Sequence, residues 1–182
     1  MDTVEGLQEE GDCFLTLLWR KSKFMLIFKL ENQTTEEVSR IFNILQKLIP
    51  FNVYKNLFQV ILTDNGHEFF DINNIECIQS TGEYVTHLFF CDPHASRQKG
   101  TIEKNHEFIR YILPKGSSFK NINQEDCNSI MNNINSLCRD SLNGKSPYEA
   151  MLFLCDEYIL KILNCYYIKP DEVNLTNNLL KY

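Results

Sequence analysis

Two rhythms alternate along the chain, short unbroken apolar runs and apolar positions at helical period, and their order sketches a fold. Cys13-Phe14-Leu15-Thr16-Leu17-Leu18-Trp19 and Phe24-Met25-Leu26-Ile27-Phe28-Lys29-Leu30 flank the basic tetrapeptide Arg20-Lys21-Ser22-Lys23, which predicts two buried strands joined in a hairpin. Thr34 and Glu37 have capping-box spacing ahead of Val38, Ile41, Phe42, Leu45, Leu48 and Ile49, a helix that Pro50 ends. Gln59-Val60-Ile61-Leu62-Thr63 reads as a strand delivered into the turn Asp64-Asn65-Gly66, and Leu88-Phe89-Phe90-Cys91 as another ending at Asp92-Pro93. Between them Asp71 to Thr86 lacks clear periodicity and reads as a surface excursion. A helix starting near Lys99 carries Ile102, His106, Ile109 and Leu113, and two more are predicted over Gln124 to Leu142 and Pro147 to Leu163. This order predicts an α/β domain with a mixed sheet and extra C-terminal helices.

Composition narrows the class. A chain of 182 residues, 43% hydrophobic and 12% aromatic, can bury one sizeable core. No apolar run approaches the roughly 18 residues of a membrane span, and Met1 to Glu5 lacks a secretory n-region, so a cytoplasmic location with no membrane partner is expected. The seven cysteines are scattered without a C-x-x-C pair, which argues for plain thiols against a disulfide framework or zinc site. The net charge of −6 runs against an overall basic nucleic-acid face, although carboxylates that hold metal would account for part of it.

The chemistry concentrates in Leu62-Thr63-Asp64-Asn65-Gly66-His67-Glu68-Phe69 and in Cys91 to Glu107. One carboxylate follows an apolar strand into a turn, and a second, Glu103, opens a helix after a Gly-containing loop, a pattern suited to a hard divalent cation. With Asp2 near the start, three acids could meet beside one sheet; read singly, each is equally an ordinary capping or solvated acid. Asn65 and Gly66 shape the turn that presents Asp64, and Gly100 permits close backbone approach.

Met1-Asp2-Thr3-Val4-Glu5-Gly6, Leu15-Thr16-Leu17-Leu18 with Arg20-Lys21-Ser22, Leu62-Thr63-Asp64-Asn65-Gly66, Phe90-Cys91-Asp92-Pro93, Gln98-Lys99-Gly100-Thr101-Ile102-Glu103-Lys104-Asn105-His106-Glu107-Phe108-Ile109-Arg110 and Leu142-Asn143-Gly144-Lys145-Ser146-Pro147-Tyr148-Glu149 together resemble the catalytic core of bacterial insertion-sequence transposases of the IS-thirty family, within the retroviral-integrase-like group. The resemblance implies a ribonuclease-H-like fold and a D-D-E triad on Asp2, Asp64 and Glu103, holding two Mg²⁺ or Mn²⁺ ions for DNA strand cleavage and 3′-hydroxyl strand transfer. DNA at the element ends and target is then the partner, with self-association of the chain expected. Arg97, Lys99 and Lys104 are candidate phosphate contacts, as are Arg20, Lys21 and Lys23 on the hairpin turn. Arg110, seven residues after Glu103, matches a base that faces DNA in this group, the alternative being a partner for Glu107 or solvent. His106 reads as a packed or exposed helix histidine that could touch the site edge.

On this reading residues 1–163 form the catalytic core and residues 164–182 a C-terminal extension. Relatives carry a helix-turn-helix region and more of the first strand ahead of the first aspartate, so the chain is expected to be a truncated or excised core. Two competing readings follow: an inactive remnant that binds a full-length relative, and a ribonuclease-H-like nuclease or resolvase unconnected with transposition.

Overall fold

The computed structural model describes residues 1–7, 9–92 and 98–180 and is a mixed α/β structure. The hairpin forms as the apolar runs dictate. Strand β2 (Cys13–Leu18) pairs antiparallel with β3 (Met25–Leu30), Leu18 opposite Met25 and Cys13 opposite Leu30. Strand β1 (Asp2–Glu5) lies antiparallel on the other side of β2, with Asp2 opposite Thr16. A second, parallel pair is made by β4 (Val60–Thr63) and β5 (His87–Phe90), and Cys91 N–H continues their ladder to the Thr63 carbonyl at 2.7 Å. The sequence predicts one mixed sheet; the structure has a three-stranded antiparallel sheet and a two-stranded parallel one. They meet where the Met1 nitrogen donates to the Leu62 carbonyl at 2.5 Å, and that contact sets the start of β1 beside the end of β4.

Helix α1 (Thr35–Leu48) begins as predicted, Thr34 accepting from the Glu37 amide at 3.4 Å. Its apolar stripe of Val38, Ile41, Phe42 and Leu45 is buried. Pro50 closes α1 but also opens α2 (Phe51–Leu57), because a proline that cannot continue one helix is well placed to start another. The 71–86 segment is less of a surface excursion than predicted. It holds α3 (Ile72–Glu76), buries Ile75, Ile78 and Val85, and is tied to α1 by Ser39 donating to Asp71 at 2.8 Å.

Helix α4 (Gly100–Ile112) buries Ile102, Ile109 and Ile112. The two predicted C-terminal helices are both shorter than their patterns. Helix α5 (Gln124–Ser136) stops where Leu137 turns extended, and Arg139 to Lys145 close a loop with Asn143 and Gly144 at positive φ. The second divides into α6 (Pro147–Met151) and α7 (Glu157–Ile162), since Asp156 takes extended backbone at the cap position of α7. No helix of the described residues is long and apolar enough to cross a membrane.

Helix α5 solves the problem of the outer edge of β3. An unpaired strand edge presents bare N–H and C=O groups. Asn135 accepts from Met25 N–H at 2.9 Å and donates to Met25 C=O at 2.8 Å, and Gln124 accepts from Lys29 N–H at 2.8 Å and donates to Ile27 C=O at 3.0 Å. The two amides stand three helical turns apart and so share one face. Other α5 side chains hold the C-terminal segment, with Asn132 accepting from Tyr166 N–H, Ser136 from Ile168 N–H and Asn133 from Asn174 N–H. Met25 is fully buried, so Asn135→Ala strands a buried backbone donor and acceptor. The expected loss is about 2–4 kcal/mol in urea unfolding, larger than for Gln124→Ala, which strands the buried Ile27 carbonyl but an N–H of the only half-buried Lys29. A loss below that of Gln124→Ala would refute the edge-pairing account.

Candidate functional site

Where the two sheets meet, β1 contributes Asp2, the turn after β4 contributes Asp64, and the residue capping α4 contributes Lys99. The Lys99 ammonium lies 2.6 Å from Asp2 Oδ1 and 2.7 Å from Asp64 Oδ2. Side-chain exposure is 10% for Lys99, 14% for Asp2 and 48% for Asp64, so the cluster is buried on the β1 side and opens towards Asp64. Burial pushes the Asp2 carboxyl above its ordinary range against the pull of Lys99. At Asp64 burial also pushes upward, but the Lys99 hydrogen bond and charge, with a hydrogen bond from Gly66 N–H, outweigh it and leave that carboxyl below its usual range. Lys99 itself is held above the usual ammonium value because its two carboxylate partners outweigh its burial. Asp64 is further fixed by accepting from the Gly66 amide at 3.2 Å, a turn closed by its own side chain.

Three residues that the sequence did not single out as carriers of the site orient Asp2. Thr16 Oγ1 donates to the Asp2 backbone carbonyl at 2.9 Å and also lies 2.9 Å from His106 Nε2. A hydroxyl has one proton, so with that proton on the Asp2 carbonyl, Thr16 accepts from Nε2–H. His106 Nδ1 then carries a lone pair, 3.8 Å from Asp2 Oδ2. Glu68 is almost fully buried and accepts from Thr3 Oγ1 at 3.0 Å and Gln33 Nε2 at 2.8 Å, which pins β1 to the turn after β4. That carboxylate explains Gly66: a Cβ there would meet Glu68 Oε2 at 2.6 Å. The signal for Glu68 was its place four residues after Asp64 and directly before Phe69 and Phe70; burial decides its role, and burial is not visible in spacing.

The remaining predicted residues fall into distinct places. Glu103 is exposed on α4, and no hydrogen bond or ion pair joins it to either aspartate. Among the described residues no group of three carboxylate, imidazole or thiol side chains converges as a metal site. Yet Glu103 belongs to a stripe formed by Lys99, Glu103, His106 and Arg110, spaced by four, three and four, which shares one helix face. The members on either side of it touch β1, Lys99 and His106 at Asp2 and Arg110 at Glu5, and Glu103 lies one helical turn along α4 from Lys99. Arg110 Nη2 donates to the Glu5 carbonyl at 2.9 Å and its guanidinium lies 5.9 Å from the Phe119 ring centroid; Glu107 is not its partner. Lys104 is exposed beside Lys23 and Arg139, and Arg20 and Lys21 are exposed on the hairpin turn. Arg97 lies outside the described residues. Asp92 and Gln98 exchange two hydrogen bonds of 3.0 and 2.9 Å.

Two hard carboxylate oxygens that converge on one positive charge fit a divalent cation, because oxygen donors of this kind suit Mg²⁺ or Mn²⁺. Asp2 and Asp64 supply those oxygens, and Glu103 lies on α4 one helical turn from the lysine between them.

No family model matches the chain. Curated proteins do. The ORF3 protein of Spiroplasma virus SpV1-R8A2 B, whose name proposes an integrase, is 32% identical over 152 residues, 84% of this chain and 44% of the relative. The transposase for insertion sequence element IS1086 of Cupriavidus metallidurans is 31% identical over 136 residues, 74% of this chain and 37% of its own. Transposase InsI for insertion sequence element IS30C of Escherichia coli is 28% identical over 150 residues, 82% of this chain and 36% of its own. These relatives are insertion-element transposases and integrases, IS-thirty elements among them, and the chain spans less than half the length of each.

The histidine beside Asp2 makes the site sensitive to acid. Burial, reinforced by the nearby Lys99 and Arg110 charges, pushes the His106 imidazole down from 6.5 to about 4. Between these values the unfolded chain binds a proton that the folded chain refuses, so stability present above pH 6.5 is lost as the pH falls towards 4. Between pH 7 and pH 5 the wild type is expected to lose about 2 kcal/mol more than His106→Gln, read from urea midpoints. Parallel pH profiles for the two proteins would show that the imidazole is not held neutral by the fold.

Proposed function

We propose that this chain is the catalytic core of a DDE transposase with a ribonuclease-H-like fold, cutting DNA strands and joining a 3′-hydroxyl to a target phosphodiester. The observation that carries this reading is the convergence of Asp2 and Asp64, from different sheets, on one cation. Asp2, Asp64 and Glu103 are the residues that would hold two Mg²⁺ or Mn²⁺ ions. Bound there, such ions would activate the attacking oxygen and stabilise the leaving oxygen of an in-line displacement. The protein's own part is positional. Thr16 and His106 hold the backbone and ring against Asp2, Glu68 holds β1 to the Asp64 turn, and α4 carries Glu103 on the stripe that faces β1. Lys104 and Arg97, with Lys99 once it is free of the aspartates, are assigned to strand phosphates, and Arg110 to the flank of the same stripe. DNA ends, target DNA and further copies of the chain are the partners on this reading.

The separation of Glu103 from the aspartates favours a second reading, a domain that binds a full-length relative or DNA without cutting. Nicking of supercoiled plasmid in Mn²⁺ separates the two. The catalytic reading predicts Mn²⁺-dependent nicking that Asp64→Asn and Glu103→Gln each reduce by at least about a thousandfold, with far-ultraviolet circular dichroism unchanged. Nicking that survives in either variant, or a folded wild type that never nicks, would leave the binding-only reading.

A further inference from the structure

We propose that Lys99 is an internal competitor for the divalent cation. Its ammonium fills the point between Asp2 and Asp64 where that cation would sit, keeps the two carboxylates together beforehand, and must leave as the cation arrives. The inference rests on the reading of Asp2 and Asp64 as metal ligands. Three observations carry it.

First, the contacts are with the predicted ligand atoms themselves, 2.6 Å to Asp2 Oδ1 and 2.7 Å to Asp64 Oδ2. One oxygen of each carboxylate is therefore committed to Lys99, and an ion drawing on those oxygens displaces the ammonium by charge repulsion as well as by volume. Second, the carboxylates have protein partners besides Lys99. Asp2 Oδ1 also accepts from Thr3 N–H at 2.9 Å, and Asp64 Oδ1 accepts from Gly66 N–H at 3.2 Å. The carboxylates are thus held in place by neighbours that persist when Lys99 moves. Third, the lysine has somewhere to go. Lys99 lines an open cleft of about 470 Å³ together with Met1, Trp19, Leu62, Phe89 and Ile102. A four-carbon stem can lie along such an apolar wall while its head reaches water or a phosphate.

The competition has a thermodynamic consequence. A phosphate that draws Lys99 away leaves the carboxylates free for the cation, and a cation that expels Lys99 leaves it free for phosphate, so each binding event favours the other to the same degree.

The test is calorimetric titration with Mn²⁺ alone, on wild type, Lys99→Met and Lys99→Gln, each with and without Asp64→Asn. Lys99→Met and Lys99→Gln are expected to bind Mn²⁺ about tenfold tighter or more, the gain from removing one partly buried competing charge. Without metal both are expected to melt several degrees lower, because two carboxylates are left facing each other, and Mn²⁺ is expected to recover the difference. Binding equal to or weaker than wild type in both variants, still abolished by Asp64→Asn, would overturn the competition and leave the ligand reading standing. Absence of Asp64-dependent binding in all three proteins would overturn the ligand reading and the competition with it. Two variants of different polarity guard against a folding defect peculiar to one.

Discussion

Two carboxylates side by side in a half-buried place stay ionised together only with a positive charge between them. That constraint organises this structure. Asp2 begins the strand on one sheet, Asp64 ends the strand on the other, and the two sheets meet through the Met1 to Leu62 hydrogen bond. Left alone the acids would repel, and one would take a proton. Lys99 supplies the charge from a third element, α4, so the ammonium is what allows β1, β4 and α4 to share one corner. A buried ion pair gains little net stability over apolar packing, and its presence is therefore better explained by the chemistry of the corner than by a need for stability.

The surrounding polar residues follow from the same demand. A carboxylate that is to bind a cation has to be aimed, and aiming takes hydrogen bonds from groups that are themselves fixed. Thr16 is fixed within the middle strand, and His106 by the helix face that packs on it. Glu68 accepts from Thr3 and Gln33 and locks the first strand to the turn that presents Asp64. Behind them α5 closes the far edge of the antiparallel sheet with the amides of Asn135 and Gln124. The sheet is pinned at both margins, by amides on the outside and by charge at the junction.

How much of this the sequence displays depends on whether the determining physics is local. The apolar runs of β2, β3 and β5 and the capped stripe of α1 are local, and the structure has them within a residue or two. The Asp64 turn is local too, since its aspartate closes on the Gly66 amide two residues away. The split between α6 and α7 was hidden because Leu152, Phe153 and Leu154 continue an apolar pattern although all three are exposed. Helix α2 was hidden because Pro50 signals an end as clearly as a beginning. Glu68 and Asn135 look like surface residues by type, and only contacts across 65 and 110 positions of sequence make them interior ones. Lys99 was legible as a cation beside the site but not as the partner of the aspartates, a relation that exists only once both sheets are assembled.

The α4 stripe bears most directly on what this corner can do. Lys99, Glu103, His106 and Arg110 follow one another along a single helix face, and every member except Glu103 is bound to the antiparallel sheet, Lys99 at Asp2, His106 at Thr16 and Arg110 at Glu5. A helix held by its neighbours on either side of a residue has little freedom to place that residue elsewhere, so the position of Glu103 relative to Asp2 is set by backbone that is already fixed. On that face Glu103 is exposed and joined to neither aspartate. With Lys99 between the aspartates the corner has no call for a further negative charge, and an exposed Glu103 is the lower-energy choice. On the proposed two-ion reading, two doubly charged cations would carry four positive charges against the two negative charges of the aspartates, and the acid that the same helix face offers to that surplus is Glu103, four residues from the ammonium that balances the aspartates here.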